Sequence, residues 1–154
     1  MIVFRLVRKK YGFALTGEGA KISGGRWNSV DLPVIYTSDS RALCTAEVAV
    51  TLQRGILPND FEMLSISIPD NILIHEIRTV DLPEGWRKFP YLEVTMQIGN
   101  RFILENRFMV MKVPSAVVPG DFNYLINPRH PDFEKIRIIS TEPYEFDERF
   151  FSQR

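Results

Sequence analysis

Cysteine is almost missing from this chain: Cys44 is the only one in 154 residues. A lone cysteine closes no internal disulfide, so the fold does not depend on an oxidising compartment, and a metal site built on paired cysteines is excluded. A surplus of either charge is missing too, with 19 acidic residues against 19 basic ones. Proteins that live on phosphate backbones usually carry a basic excess, so direct nucleic-acid binding is not expected. The cluster Arg8-Lys9-Lys10 is too short to change that. No stretch approaches the ~20 apolar residues of a membrane span. The apolar start, residues 1–6, is short and interrupted by Arg5, unlike a secretory signal. These absences point to a cytoplasmic protein with no membrane contact and no metal.

What is present fits one domain. A chain of this length can bury roughly two-thirds of its unfolded surface and needs no staples. Residues 2–6 read as a first strand, and residues 11–23, polar and glycine-bearing, as a loop. Residues 33–37 form a short run of β-branched and aromatic type. Ser38-Asp39-Ser40 then offers helix caps, and residues 41–53 contain neither Gly nor Pro before Arg54-Gly55 stops them. Residues 63–68 alternate Leu64, Ile66 and Ile68 with Ser65 and Ser67, as in a half-buried strand. Further strands are expected at 72–77, 108–113, 123–126 and 135–139. A helix is expected at 90–97, a break at Gly99-Asn100, and one or two helical turns at 101–106. The aromatic tail, residues 144–151, should dock onto the core. Helices and strands do not alternate strictly, so the expected class is α+β: a single domain with a mostly antiparallel or mixed sheet and a few helices.

Few residues carry chemistry. Glu47 falls on the same side of its helix as Leu43 and Val50, and the other sides are nearly apolar. A carboxylate there must be paired or used, because burying it alone is costly. Arg26 and Arg5 are candidate structural partners, and a functional role stands as the alternative. The fork of Arg26 suits a phosphate or carboxylate, and Gly24-Gly25 before it offers unusual backbone angles and N–H groups for an anion. Trp27 either stacks on a flat ring or fills the core, and Tyr36 either packs on the sheet or projects into a cleft. Ser115 lies in VPSAVVP without a Gly-x-Ser-x-Gly elbow, which argues against a serine-hydrolase nucleophile. Neither His75 nor His130 sits in a metal-binding motif.

The segments VFRL, GGRWNSVDLPVIYTS, AEV, IGNRF and VPSAVVPGDFNYLINPRHPDF follow one another along almost the whole chain. In order and spacing they resemble the RES-domain toxins of bacterial RES–Xre toxin–antitoxin pairs. That family is named for an arginine, a glutamate and a serine, which carry over to Arg26, Glu47 and Ser115. Tyr36 matches the tyrosine of the YTS segment. One departure is that Asp31-Leu32 stands where the family often has Gly. The resemblance implies that residues 1–154 are one RES domain with an ADP-ribosyltransferase-like fold. It also implies cleavage of NAD+ at the nicotinamide–ribose bond, by hydrolysis, by phosphorolysis or with a protein as acceptor. Arg26, Tyr36, Glu47 and Ser115 would then be catalytic, and Gly25, Arg26, Trp27, Tyr36 and Ser115 would line the NAD+ site. In that role Tyr36 would stack near nicotinamide, and Ser115 would bond its amide or a ribose hydroxyl. The missing Gly-x-Gly-x-x-Gly agrees with NAD+ as consumed substrate and not as a Rossmann-bound carrier. The implied partner is an Xre-type DNA-binding antitoxin, with room for a homodimer within that complex. The competing reading is an inert module that holds a nucleotide or a partner protein on the same groove.

Overall fold

The computed structural model describes residues 1–52 and 55–152. Seven strands form one sheet: β1 Ile2–Arg8, β2 Ile35–Ser38, β3 Phe61–Ser67, β4 Ile74–Glu76, β5 Val110–Pro114, β6 Phe122–Ile126 and β7 Arg137–Tyr144. Their order across the sheet is β4-β5-β6-β2-β1-β3-β7. Every pairing is antiparallel except β4 with β5. The expected α+β class with a mixed, mostly antiparallel sheet is what forms.

Central strands are covered on both sides, so successive residues enter different cores. Val110 and Ile126 join Val3, Ile35, Leu64 and Ile66 in one cluster. Their neighbours Met111 and Leu125 join Trp27, Trp86, Phe102 and Ile103 in another. A third cluster gathers Leu6, Cys44, Phe61 and Met63 with Phe146 and Phe151, so the aromatic tail docks as expected.

Among the described residues three α-helices complete the fold: α1 Glu18–Ser23, α2 Arg41–Ala49 and α3 Glu93–Glu105. The side chain of Ser40 caps α2, accepting the Leu43 N–H at 3.0 Å. Such a cap typically stabilises by about 1 kcal/mol. The start of α2 matches expectation, but it ends at Ala49, and its expected last residue Gln53 and stop residue Arg54 lie outside the described residues.

The strand expected to be half-buried, β3, is buried on both faces, Ser65 included, and the helix expected to open at Pro90 begins at Glu93. Two further expectations give way to tertiary contact. Residues 11–23 are not all loop, since α1 forms between Gly17 and Gly24. Gly17 has φ +73°, and a Cβ there would lie 2.8 Å from the backbone N of Val34, so α1 is pressed onto the chain leading into β2. Gly99-Asn100 is not a break either. Both residues lie inside the continuous helix α3, because they are its docking points. Asn100 accepts the Ser29 N–H at 2.9 Å and donates to the Ser29 hydroxyl at 2.7 Å. A Cβ on Gly99 would fall 1.6 Å from the Trp27 carbonyl oxygen, so only glycine lets α3 approach this closely. Asp31, where the family often has Gly, adopts φ +75°, a left-handed conformation that Asp tolerates better than most residues.

Candidate active site

A cavity of about 850 Å³ opens over the middle of the sheet. That is the size range of small-molecule sites. Its walls come from distant parts of the chain: Arg5 on β1, Gly24 to Trp27 after α1, Tyr36 on β2, Glu47 on α2, Phe89 and Tyr91 before α3, and Asn123 on β6.

Glu47 is half-buried, and neither expected arginine pairs with it. Instead two neutral donors converge on a single oxygen. The Ser115 hydroxyl and the Asn123 amide each donate to Glu47 Oε1 at 2.6 Å.

Ser115 itself is 0 % exposed and does not line the cavity. Its Oγ accepts the N–H groups of Val117 and Val118 at 3.1 and 2.9 Å while donating to Glu47. The structure therefore brings this hydroxyl to the Glu47 carboxylate, behind the cavity wall, and not to the cavity surface where a nicotinamide or ribose contact was expected.

Arg26 lines the cavity, with its guanidinium centred 4.9 Å over the Tyr91 ring. It donates to the carbonyls of Trp86 at 2.6 Å, Lys88 at 3.1 Å and Arg87 at 3.3 Å, which ties down the segment that brings Phe89 and Tyr91 to the cavity. No carboxylate pairs with it among the described residues. Burial lowers its pKa, and the nearby charge of Glu47 offsets only part of that.

Arg5 was not singled out as a ligand-binding residue, yet it lines the same cavity. Its guanidinium donates to the Tyr36 carbonyl at 2.9 Å, its one side-chain hydrogen bond among the described residues. Burial lowers its pKa as well, and among the described residues no carboxylate balances it. The sequence signal that could have found it is an arginine in the middle of an apolar run, the IVFRLV of β1. Asn123 was likewise missed, since nothing in FNYLI marks one asparagine as special.

The remaining expected residues serve the frame. The Tyr36 ring lines the cavity, but its hydroxyl is used internally, accepting the Trp27 N–H at 3.1 Å and donating to Asn28 Oδ1 at 2.7 Å. Burial raises its pKa. Trp27 is 3 % exposed, with its ring centroid 6.2 Å from that of Trp86, so it fills the core while contributing to the cavity wall. The glycine N–H groups are not available to an anion: Gly24 donates to Ala20 O at 2.8 Å and Gly25 to Asn28 O at 2.9 Å. Gly25 is needed for space, because a Cβ would lie 2.7 Å from the Tyr36 hydroxyl. Among the described residues no cluster of three His, Cys, Asp or Glu is arranged to hold a metal ion. No helix among them is long and apolar enough to cross a membrane.

Comparison with known proteins places this geometry in a family. The RES domain family matches residues 2–147. The chain belongs to the RES-domain family. A protein of Sphingobium sp. (strain YBL2), named Prs ADP-ribosylating toxin, is 39% identical over 137 residues, covering 88% of this chain and 85% of that protein. Toxin Res of Photorhabdus laumondii is 37% identical over 152 residues, covering 97% and 96% of the two chains. Among solved structures, a chain from the crystal structure of the M. tuberculosis MbcT–MbcA toxin–antitoxin complex superposes with a TM-score of 0.73. That match has 19% identity and covers 97% of this chain and 86% of that one, so it is a likeness of fold.

Proposed function

We propose that this RES-domain chain is the toxin of a toxin–antitoxin pair and that it cleaves NAD+ at the nicotinamide–ribose bond in the cytoplasm, with residues 1–154 acting as one domain. The observation that carries this reading is one cavity holding a carboxylate with a committed oxygen, Glu47, together with two guanidiniums that lack a carboxylate partner among the described residues, Arg5 and Arg26. An unbalanced, partly desolvated cation favours an anionic ligand, and guanidiniums suit the oxygens of a pyrophosphate.

The chemistry follows from the charges. The C–N bond to the ribose breaks with its electron pair going to the pyridinium nitrogen, so nicotinamide leaves neutral. Positive charge then gathers on the ribose carbon and ring oxygen. Glu47 stabilises that cation and accepts hydrogen bonds from the ribose hydroxyls, which also orients the sugar. Arg5 and Arg26 hold phosphate oxygens, while Tyr36 presents a ring face near nicotinamide. Ser115 keeps Glu47 in place. A phosphate oxygen, or a water oxygen that loses a proton to solvent, completes the reaction by bonding to the ribose carbon.

A protein acceptor is the second reading, favoured by the relative named as an ADP-ribosylating toxin. The partner we propose is an Xre-type antitoxin that binds DNA on the toxin's behalf, in keeping with the neutral charge of this chain.

Purified protein free of antitoxin, incubated with NAD+ with and without phosphate, should release nicotinamide, detected by chromatography and mass spectrometry. Label from NAD+ appearing on a protein would select the second reading. Glu47→Gln should lower turnover at least ~100-fold, the scale of losing one electrostatic stabiliser. No release by the wild type with water or phosphate, and no label on any protein, would leave an inert binding module in place of the enzyme.

A further inference from the structure

Two donors on one oxygen of a carboxylate leave the other oxygen to be explained. Glu47 Oε1 accepts from both Ser115 and Asn123, and Oε2 has no hydrogen bond among the described residues. No buried side-chain oxygen lacks a partner among the described residues, so Oε2 is not sealed in the protein. On a half-buried residue that lines the cavity, it is the oxygen left for a ligand.

Asn123 is held in one orientation. It stands opposite Ser38 in the pairing of β2 with β6. The buried Ser38 hydroxyl donates to Asn123 Oδ1 at 2.7 Å. An amide has an acceptor at one end and donors at the other. With Oδ1 engaged by Ser38, Nδ2 points at Glu47. The reverse orientation would set the amide oxygen against the carboxylate, two acceptors with no proton between them.

We infer that Asn123, oriented by Ser38, is a positioning residue that fixes which oxygen of Glu47 faces the substrate. The proposal deepens the NAD+-cleaving reading and rests on it for its kinetic consequences. Ser115 alone leaves the carboxylate free to turn about its last torsion, which is broad for a glutamate. A second donor from another strand removes that freedom. The anion then meets the ribose already aligned, with no reorganisation as positive charge develops.

The test combines kinetics with a signal that does not depend on turnover. Asn123→Ala should lower kcat about 10- to 100-fold, the loss expected of one hydrogen bond to a charged group, with KM changed less than about threefold, as for an interaction that matters mainly in the transition state. In a Glu47→Ala background the same substitution should change the residual rate less than about threefold, because nothing is left to position. If Asn123 instead contacted substrate independently, the two losses would multiply, and the proposal would be overturned. Ser38→Ala should lower kcat in the same sense as Asn123→Ala and by less. The side-chain amide signals of Asn123 in a ¹⁵N–¹H spectrum should shift in Glu47→Ala and in Ser38→Ala, both measured without NAD+. Unchanged amide signals would refute the hydrogen bond whether or not the protein turns over. A wild type that releases no nicotinamide while the amide signals do shift would sink the NAD+ reading and keep the positioning contact.

Discussion

Gly99→Ala separates two views of α3. Seen as a helix alone, replacing an interior glycine by alanine stabilises by about 1 kcal/mol. Seen in the fold, the added Cβ sits 1.6 Å from the Trp27 carbonyl oxygen, 2.5 Å from its carbonyl carbon and 3.0 Å from its Cα. Restoring even a tight contact of about 3 Å requires the two backbones to part by roughly 1.5 Å. Neither side offers a side chain that can rotate away. The cost therefore belongs at the upper end of overpacking, about 3 kcal/mol, which outweighs the propensity gain and leaves about 2 kcal/mol of net destabilisation. For a chain of this size that is a fall of about 4–8 °C in Tm. Activity should fall as well, because Trp27 adjoins Arg26, and a displacement near 1 Å can cost about 100-fold in rate. Thermal unfolding followed by circular dichroism, with nicotinamide release measured well below Tm, would check both. A variant that melts higher than the wild type would refute the close helix–backbone contact and leave only the propensity effect.

Two other outcomes are expected. Arg5→Met should raise KM for NAD+ about 10- to 100-fold, the loss of a hydrogen bond to a charged group, without lowering Tm, since it removes a partly buried cation that no carboxylate balances among the described residues; a large drop in Tm with unchanged KM would make Arg5 a structural residue. Alkaline stability should depend on Cys44, whose thiol burial pushes up to about 11 from an ordinary 9.0. Above pH 9 the unfolded chain releases a proton that the folded chain keeps, so this contribution is whole below that pH and lost as pH rises to about 11. Cys44→Ala should flatten the decline of the denaturation midpoint over that window, and an undiminished decline would contradict the assignment. Burial raises Tyr36 too, so some alkaline loss should remain in the variant.

Local pattern was enough for much of this protein. Alternation in MLSISI marked β3, the Ser38-Asp39-Ser40 run announced α2, and the ordered segments from VFRL to HPDF pointed to the RES family before any coordinate. Glu47 stood out as a carboxylate on an apolar helix, a conflict legible in one dimension because burial of charge needs a reason. Its partners were not legible. Ser115 and Asn123 lie 68 and 76 residues away and meet Glu47 only because β5 pairs with β6, and β6 with β2, beside α2. Arg5, in the middle of the apolar run of β1, acquired its meaning from a cavity that segments far apart in sequence enclose. Gly99-Asn100 read as a break and still lies within a helix, since a missing side chain serves equally to end a helix and to let one dock. Propensity and periodicity are short-range properties that the chain encodes directly. Which donor reaches which oxygen, and which cation is left without a counter-ion, depends on contacts between residues far apart in sequence, and those exist only once the sheet has set its strand order.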